Sequence, residues 1–595
     1  MHRLPRVLLP LALAGGLLLP AAPATATAHR GSFDIQGHRG GLGLTVESTL
    51  ASFARGLEVG VSTLELDVQI TQDGHAVVTH DRKIGANKCR DTAPYTPGDP
   101  EFPYVGKYVN TLSLNQVKQL DCGSLTLPEH PAQQPDPGAR MPELREVFAL
   151  VHRYHANDVK LNVETKVEAG APSETAPREQ FVQVVAQEIR KARIARQVTI
   201  QSFDWGALMR MRQVAPELPL VALTNYDFLQ TGQPGKSPWL GGIDIDDFGG
   251  DLVAATKSFG ASAISPVHGF PQGGKVSDPD YKPYVTTQMV QSAHQAGMKV
   301  IPWTIDDPAT MQSLIDKGVD GIITDYPDRL RAVVQDNGLR LPRQYDAPAI
   351  RALPSAHAHN DYEHRRPLQD ALDRGFNSVE ADVWLIDGEL RVAHDEKDAK
   401  PGRTLESLYL KPLADRVRAN HGQVYRHGRD FQLLIDIKSD GPSTYAAVDA
   451  ALQKYRGIST IFANGRVLKG AVTSVISGNR PLDVLKAQKI RYAGYDGRLS
   501  DLNSGMPASL MPLVSDNWTN NFTWTGTGAM PEAERAKLRE IVATAHRAGY
   551  RVRFWATPDV RGAARDALWS ELTAAGVDHL NTDDLHGLED FLRNR

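Results

Sequence analysis

Short runs of β-branched and apolar residues alternate with amphipathic stretches of helical periodicity along most of the chain. In the first half, eight of these runs read as strands, at residues 33–37, 62–68, 160–165, 197–203, 219–224, 261–266, 298–304 and 321–325. Helical stretches such as 178–193 and 286–297 lie between most of them. This alternation predicts a parallel sheet, and eight units predict a (β/α)8 barrel of the TIM type. A doubly wound open sheet is the alternative.

One turn interrupts the alternation. Asp73 and Gly74 lie between two apolar runs, and an Asp-Gly pair in this setting is typical of a β-hairpin. We therefore expect residues 76–79 to fold back antiparallel to the second strand, which would bring His80 to the mouth of the barrel.

The same order of segments occurs twice. "TLELDVQITQDGHAVVTHD" at 63–81 matches "SVEADVWLIDGELRVAHD" at 378–395, "AHQAGMKVIPWTID" at 293–306 matches "AHRAGYRVRFWATP" at 545–558, and other matches keep the same order. A repeat of this length is far longer than a solenoid unit and indicates two copies of one domain. We therefore predict two tandem barrels at residues 29–341 and 355–595, joined by a proline-containing linker at 342–354.

The first 28 residues have the features of a signal peptide. Arg3 and Arg6 form a basic start, residues 8–19 are apolar, and residues 26–28 have the small-x-small form of a cleavage site. A membrane anchor is the alternative, but the apolar run is shorter than the ~20 residues of a spanning helix. We expect a secreted protein without a stable membrane anchor.

Charge and cysteine content narrow the possibilities further. The chain has 66 basic and 70 acidic residues, a net charge of -4, which does not favour nucleic acid as a partner. Its two cysteines, Cys89 and Cys122, favour a disulfide in an exported chain, with two free thiols as the alternative. Both lie in a Pro- and Gly-rich insertion at residues 82–142, which we expect to shape substrate access rather than form only a packed surface loop. The oligomeric state stays open.

Polar residues gather where the predicted strands end, and a barrel places its reactive groups there. Glu65 and Asp67 are two residues apart on the second strand, so both side chains point to one face. Glu164 and Lys166 repeat this spacing on the third strand. Three converging carboxylates would repel each other, and a hard divalent cation is the usual remedy.

Two histidines and an arginine complete this constellation. His38 and Arg39 end the first strand, and His80 follows the hairpin. Histidines suit acid–base chemistry near neutral pH, whereas Arg39 and Lys166 would attract an anionic substrate. Each residue alone could be a structural histidine, a solvated carboxylate or a salt-bridge partner, but together they favour an active site.

The first half resembles the glycerophosphodiester phosphodiesterases. The resemblance rests on "HRG" (38–40), "VEST" (46–49), "ELDVQITQDG" (65–74), "VTHD" (78–81), "VETK" (163–166), "QSF" (201–203), "WTID" (303–306) and "ITDYP" (323–327). It implies a TIM barrel that hydrolyses glycerophosphodiesters to an alcohol and glycerol phosphate, and a small-molecule substrate that is a glycerophosphodiester or a lysophospholipid. Two rival readings are a sphingomyelinase D-like phospholipase D lyase that gives a cyclic phosphate, and a non-catalytic phospholipid- or sugar-binding protein.

The resemblance also implies roles for individual residues. A divalent cation, Ca²⁺ or Mg²⁺, would be held by Glu65, Asp67 and Glu164. His38 and His80 would be the acid/base pair and Arg39 a phosphate ligand, with the substrate contacted by Lys166, Glu47 and Trp303. The family's Pro-Glu-Asn-Thr segment reads Val-Glu-Ser-Thr here, which leaves the role of Glu47 open.

The second copy is similar to the phospholipase-C-like phosphodiesterase superfamily, close to the altered-inheritance-of-mitochondria type. "HAHNDY" (357–362) replaces the HRG region, so that Asn360 stands where Arg39 does. The other counterparts of the first site are His359, Glu380, Asp382, His394, Asp436 and Lys438. The copy is either a second metal-binding enzyme or a degenerate barrel kept for packing or binding.

Overall fold

A computed structural model describes residues 32–426 and 430–593 of the chain. The predicted signal peptide, residues 1–28, lies outside the described residues. Within these ranges the chain forms two successive α/β barrels, each built on a parallel sheet of eight strands with one antiparallel strand added. The predicted fold class is therefore confirmed, and the open-sheet alternative is wrong. In the same ranges, no helix is long and apolar enough to cross a membrane.

The strands of the first barrel fall within the predicted runs or extend them slightly. In chain order they are Asp34–Gly37, Thr63–Ile70, Lys160–Thr165, Val198–Ser202, Leu220–Thr224, Ala263–Pro266, Lys299–Val300 and Gly321–Thr324. The first strand pairs in parallel with both the second and the last, so the sheet curls onto itself. Backbone hydrogen bonds from Asp320 to Val300 and from Ile323 to Pro302 link the last two strands.

Helices cover the outside of this sheet because each has one apolar face. In the helix Arg178–Ala192, Phe181, Val185 and Ile189 recur every four residues and are buried in the barrel core. Burying such a side chain stabilises the fold by about 1.5–3 kcal/mol. The helices of this half are Leu50–Val59, Leu114–Val117, Leu144–Arg153, Arg178–Ala192, Trp205–Val214, Tyr226–Leu229, Leu252–Ser258, Thr287–Gln295, Pro308–Asp316 and Pro327–Asp336.

The predicted hairpin is present. Ala76–Val78 pairs antiparallel with the end of the second strand, with Val78 opposite Val68. The insertion that follows packs a small core against Val77 of the hairpin, built on Ile84, Tyr104, Val109, Leu112, Val117, Leu120 and Met141. The expected disulfide between Cys89 and Cys122 is formed inside it. The insertion is therefore a packed structure, and it also lines the barrel mouth, as described below.

The second barrel repeats the first. Its strands are Leu353–Ala358, Phe376–Ile386, Phe431–Ile437, Val472–Gly478, Ala493–Gly497, Leu513–Asn517, Arg551–Trp555 and His579–Thr582, and Glu389–Val392 forms the matching hairpin. Its first strand pairs with both the second and the last, which closes the sheet. Its helices are Gln369–Asp373, Lys411–Ala419, Gly441–Lys454, Leu482–Ala487, Trp518–Asn521, Glu532–Ala548, Ala563–Ala575 and Leu585–Arg593. Shorter strands pair outside the barrels, Gly269–Phe270 with Lys282–Pro283, and Ile461–Ala463 with Arg466–Leu468 and Ile490–Arg491.

The two barrels meet where the insertion of the first contacts the second. Arg374 donates a hydrogen bond of 2.9 Å to Asp136, and His586 lies 3.2 Å from the same carboxylate. Arg561 donates to the carbonyl oxygen of Gly138 at 3.1 Å. Four residues further along the insertion than Asp136, Arg140 forms ion pairs with Asp584 at 3.5 Å and Asp590 at 3.9 Å. Residues 136–140 are thus held by side chains of the second barrel.

Acid should weaken this contact. Burial acts to raise the pKa of Asp136, but His586 and Arg374 outweigh it and hold the pKa below its usual value. A carboxylate with a depressed pKa stabilises the fold above its unfolded pKa, about 4, and the stabilisation is lost as the pH falls below that value. Wild type should therefore melt at a higher temperature than Asp136→Asn near neutral pH, and the difference should shrink as the solution is acidified. The matched change at exposed Asp280 should show no such trend, and a pH-independent difference for Asp136→Asn would contradict the assignment.

Candidate active site

Three carboxylates converge at the mouth of the first barrel. Glu65 and Asp67 lie on the strand Thr63–Ile70, and the parallel register places Asp67 directly opposite Glu164 of the next strand. One oxygen of each carboxylate lies within 4.8 Å of the others, and all three side chains are buried. The sequence-predicted cluster is therefore brought together in the structure.

The burial of these groups creates an electrostatic conflict. Burial, together with the charge of Asp67, raises the pKa of Glu65 to about 7. Burial also raises the pKa of Glu164 to about 8, with Asp67 and Glu65 adding to the effect and Lys166 opposing it. Asp67 keeps a lowered pKa because Lys166 and other nearby cations outweigh its burial. The cluster is short of positive charge.

The donor set fits a hard divalent cation. Among the described residues, Oδ2 of Asp67 is buried and accepts no hydrogen bond, although Nε of Arg39 lies 3.3 Å away as an ion-pair contact. Glu65 accepts hydrogen bonds from Gln201 at 2.6 Å and from the backbone N–H of Arg39 at 2.9 Å, which fix its carboxylate in place. Such preorganised carboxylate oxygens are the ligands that Ca²⁺ and Mg²⁺ prefer.

Each candidate histidine is paired with an aspartate. Nδ1 of His38 lies 2.6 Å from Asp325 at the end of the last strand, and Nδ1 of His80 lies 2.7 Å from the adjacent Asp81. Both aspartates stand in the segments "ITDYP" and "VTHD", but the sequence reasoning gave them no role. Each pair holds an imidazole ring with its other nitrogen free for chemistry.

The surroundings shift the pKa values of the two histidines in opposite directions. Burial and Arg39 act to lower the pKa of His38, but Asp325 and Glu65 outweigh them, and the pKa is raised. Burial, with the charges of Lys166 and Arg39, lowers the pKa of His80 to about 4. Near neutral pH, His80 is therefore neutral, and His38 carries a proton more readily than a free imidazole.

Arg39 is held in a strained backbone conformation. Its φ of 50° is in the left-handed region, and the following Gly40 has a φ of 90° where a Cβ would meet Ser52 at 2.6 Å. This turn points the guanidinium at the carboxylates, where Nε lies 3.3 Å from Asp67 and Nη1 donates to Glu47 at 2.7 Å. Glu47, expected near the substrate, is thus placed against Arg39.

Lys166 and Trp303 line the space in front of the cluster. Nζ of Lys166 lies 3.0 Å from Glu164, and Nε1 of Trp303 donates to the carbonyl oxygen of Ser265 at 2.9 Å. The candidate residues other than Glu47 line a cavity of about 200 Å³, which shares His80, Lys166, Phe203 and Trp303 with an outer cleft of about 590 Å³. Phe203, Phe228, Trp239 and Trp303 give this cleft an aromatic wall, and Arg82, Lys83 and Tyr108 of the insertion face it.

The second barrel assembles the matching residues. Oxygens of Glu380, Asp382 and Asp436 lie within 4.8 Å of one another. Nδ1 of His359 is 2.8 Å from Asp583, as His38 is paired with Asp325. Asn360 has a φ of 45°, so the left-handed turn of Arg39 is kept although its guanidinium is lost.

Other counterparts in the second barrel differ more. Lys438 pairs with Asp382 at 3.1 Å and with Asp436 at 3.2 Å, much as Lys166 pairs in the first barrel. By contrast, the His394 side chain is 62% exposed, against 34% for that of His80. The second pocket is therefore more open around this histidine.

An arginine enters the second cluster from another strand. Arg553 donates to Glu380 at 2.7 Å and to Asn581 at 2.8 Å, and it is buried. In the first barrel, the repeat places Ile301 at the position of Arg553 and Ile323 at the position of Asn581. These two isoleucines form part of an apolar layer there. The sequence comparison registered the loss of arginine at Asn360 and missed Arg553. Arg553 could have been found from the sequence, because it is a charged residue at an inward-facing position of the strand Arg551–Trp555.

Comparison with protein families agrees with this geometry. The model of the glycerophosphoryl diester phosphodiesterase family matches residues 38–329. An AIM6-like phosphodiesterase domain matches residues 349–496, and a further glycerophosphoryl diester phosphodiesterase family model matches residues 551–586. Residues 38–329 belong to the glycerophosphoryl diester phosphodiesterase family. With the AIM6-like match in the second barrel, the chain is a tandem of phosphodiesterase domains.

Two curated relatives each match only part of the chain. A glycerophosphodiester phosphodiesterase of Caldanaerobacter subterraneus subsp. tengcongensis is 27% identical over 51% of this chain and 97% of its own length. Altered inheritance of mitochondria protein 6 of Eremothecium gossypii is 30% identical over 41% of this chain and 70% of its own length. A solved structure of an Oleispira antarctica phosphodiesterase in complex with the product sn-glycerol-3-phosphate is 19% identical, with a TM-score of 0.37, over 51% of this chain and 97% of that one.

The buried pair in the second barrel of this phosphodiesterase can be tested directly. Arg553→Met leaves Glu380 buried without its guanidinium, so the free energy of unfolding should fall by about 3–5 kcal/mol. Scanning calorimetry or urea titration of the full chain would measure the loss. The double variant Arg553→Met/Glu380→Gln removes the charge as well and should recover most of the stability. A double variant no more stable than Arg553→Met alone would contradict this account.

Proposed function

We propose that the first barrel hydrolyses glycerophosphodiesters to an alcohol and glycerol phosphate with the help of a divalent cation, Ca²⁺ or Mg²⁺. The observation that carries this proposal is the convergence of three buried carboxylates between two His–Asp pairs and an arginine. Such a site offers a cation position, proton carriers and a fixed positive charge within one cavity. Together these suit attack on a phosphodiester.

Glu65, Asp67 and Glu164 would hold the cation. When bound, it would neutralise the carboxylates and draw the phosphodiester oxygens towards them. Arg39 and Lys166 would bind the remaining phosphoryl oxygens, because both point their charge into the same cavity. The negative charge of the substrate phosphate would thus contact the cation as well as Arg39 and Lys166 before the reaction begins.

The two histidines would divide the proton transfers. His80, neutral near pH 7 because of its lowered pKa, would take a proton from the attacking water. His38, with its raised pKa and its aspartate partner, would give a proton to the oxygen of the departing alcohol. A new P–O bond forms to the water oxygen, and the P–O bond to the alcohol breaks.

The aromatic cleft supports a place for the rest of the substrate. Its volume of about 590 Å³ exceeds that of the inner cavity, and its wall combines aromatic rings with the charged groups of the insertion. An apolar part of the substrate, such as the acyl chain of a lysophospholipid, would bury surface there. The features of residues 1–28 support action outside the cell on such substrates.

We assign hydrolysis to the first barrel alone. In the second barrel, Asn360 offers no charge where Arg39 does, and Arg553 is engaged with Glu380, a member of the carboxylate cluster. Asp436 is shorter than Glu164, so a cation there would sit differently. These differences support a binding or structural role for the second barrel.

Removal of divalent cations should abolish the activity. The basis is that two of the three carboxyl groups resist ionisation until positive charge is supplied. The assay is glycerophosphocholine hydrolysis before and after treatment with a chelator, followed by separate addition of Ca²⁺ and Mg²⁺. Phosphorus-31 spectra would identify the product as an open monoester or a cyclic phosphate. Full turnover after exhaustive chelation would refute the metal requirement, and a cyclic product would refute hydrolysis.

Matched substitutions in the two barrels should separate their roles. His38→Ala or Glu65→Gln should lower kcat/KM by about 100-fold or more, because each removes a group that acts in the reaction. His359→Ala and Glu380→Gln are the equivalent changes in the second barrel and should leave the activity within a few-fold of wild type. If the second-barrel variants lose activity and the first-barrel variants keep it, the working site lies in the second barrel and the assignment is wrong.

A further inference from the structure

A lysine of the insertion lies between the two halves of the candidate active site. Nζ of Lys88 is 2.9 Å from Oδ2 of Asp81 and 3.0 Å from Oε1 of Glu47. The sequence reasoning assigned this residue no role. Its side chain is 22% exposed, so the two contacts are partly shielded from water and stronger than surface ion pairs.

Each carboxylate that Lys88 contacts holds one functional group. Asp81 uses its other oxygen to hold His80 at 2.7 Å. Glu47 uses its other oxygen to accept from Arg39 at 2.7 Å, and Arg39 in turn approaches Asp67 at 3.3 Å. A continuous chain of charged contacts therefore runs from His80 to the cation-binding cluster, and Lys88 joins its two parts.

The charge of Lys88 matters for Arg39 in particular. Without Lys88, Glu47 would be a buried carboxylate with Arg39 as its main partner, and the guanidinium would be drawn towards it. With Lys88 present, the charge of Glu47 is shared between two cations. Arg39 then keeps more of its positive charge for the cluster and for a bound anion.

The position of Lys88 is fixed by the disulfide of the insertion. Cys89 follows it directly and is bonded to Cys122. Next along the chain, Arg90 and Asp121 exchange two backbone hydrogen bonds, of 2.8 and 2.9 Å, beside the disulfide. The backbone N–H of Cys89 also donates to Gly85 at 3.0 Å. A long, flexible side chain is thus attached to a rigid base, which reduces the entropy lost when it bridges two carboxylates.

We propose that Lys88 is a positioning residue of the first active site, which orients His80 through Asp81 and Arg39 through Glu47. It does not touch the substrate. This inference rests on the proposed function, since it concerns the same site. It also gives the disulfide-bonded insertion a role in the reaction beyond shaping the cleft.

The test compares Lys88→Met, Lys88→Arg and Lys107→Met in the full-length protein, with glycerophosphocholine as substrate. Lys107 is the matched control, because it is another partly buried lysine of the insertion and pairs with Glu101 away from the candidate site. Lys88→Met should lower kcat/KM by about 10–100-fold, mainly through kcat, because the reacting groups are misplaced. Lys88→Arg can reach both carboxylates and should restore most of the activity, whereas Lys107→Met should stay within about twofold of wild type. A well-folded Lys88→Met enzyme with wild-type kcat would overturn the proposal. If Lys88→Met does not fold, Lys88→Gln is used in its place and judged by the same criterion.

A second measurement separates positioning from direct substrate contact. In an Asp81→Asn background, Lys88→Met should cost clearly less activity than in wild type, because part of its route to His80 is already lost. Equal losses in both backgrounds would overturn the proposal.

A third measurement needs no turnover. NMR resonances of the His80 ring should move in Lys88→Met and not in Lys107→Met. An inactive wild-type enzyme would refute the proposed function but leave this readout intact, and unchanged His80 resonances would overturn the role of Lys88 on their own.

Discussion

The repulsion among three buried carboxylates is the constraint on which the rest of the first barrel depends. Glu65, Asp67 and Glu164 lie on adjacent parallel strands, and the register leaves them no way to move apart. Lys166, Arg39 and the amide of Gln201 all contact this cluster. The left-handed turn at Arg39 places both its backbone N–H and its guanidinium against the cluster. The strained backbone at Arg39 thus brings a positive charge close to the repelling carboxylates.

Much of this arrangement could be predicted from the sequence. Alternating runs predicted eight strands, the Asp-Gly turn predicted the hairpin, and the two-residue spacing of Glu65 and Asp67 predicted that they share a face. These features depend on residues that are close in the chain. The repeat then extended the same prediction to the second barrel.

What the sequence could not predict depends on contacts between distant residues. Asp325 lies 287 positions from His38, and Lys88 reaches the site only because the insertion folds back over the barrel mouth. Arg553 was missed because the two barrels were compared position by position. The arginine near the second cluster lies on a different strand from the one that precedes Arg39 in the first barrel. Pairings across a barrel are set by closure of the sheet, which no local pattern encodes.

The contact between the barrels also changes how the second one should be regarded. Asp584, which pairs with Arg140 of the insertion, is the immediate neighbour of Asp583, which holds His359. The same insertion carries Lys88 and the disulfide, which line one small cavity together with Arg140. The second barrel therefore serves as a support for its neighbour, whatever its own pocket binds, because it holds the insertion that carries Lys88. A substitution at this seam can disturb the first active site although it lies in the other barrel.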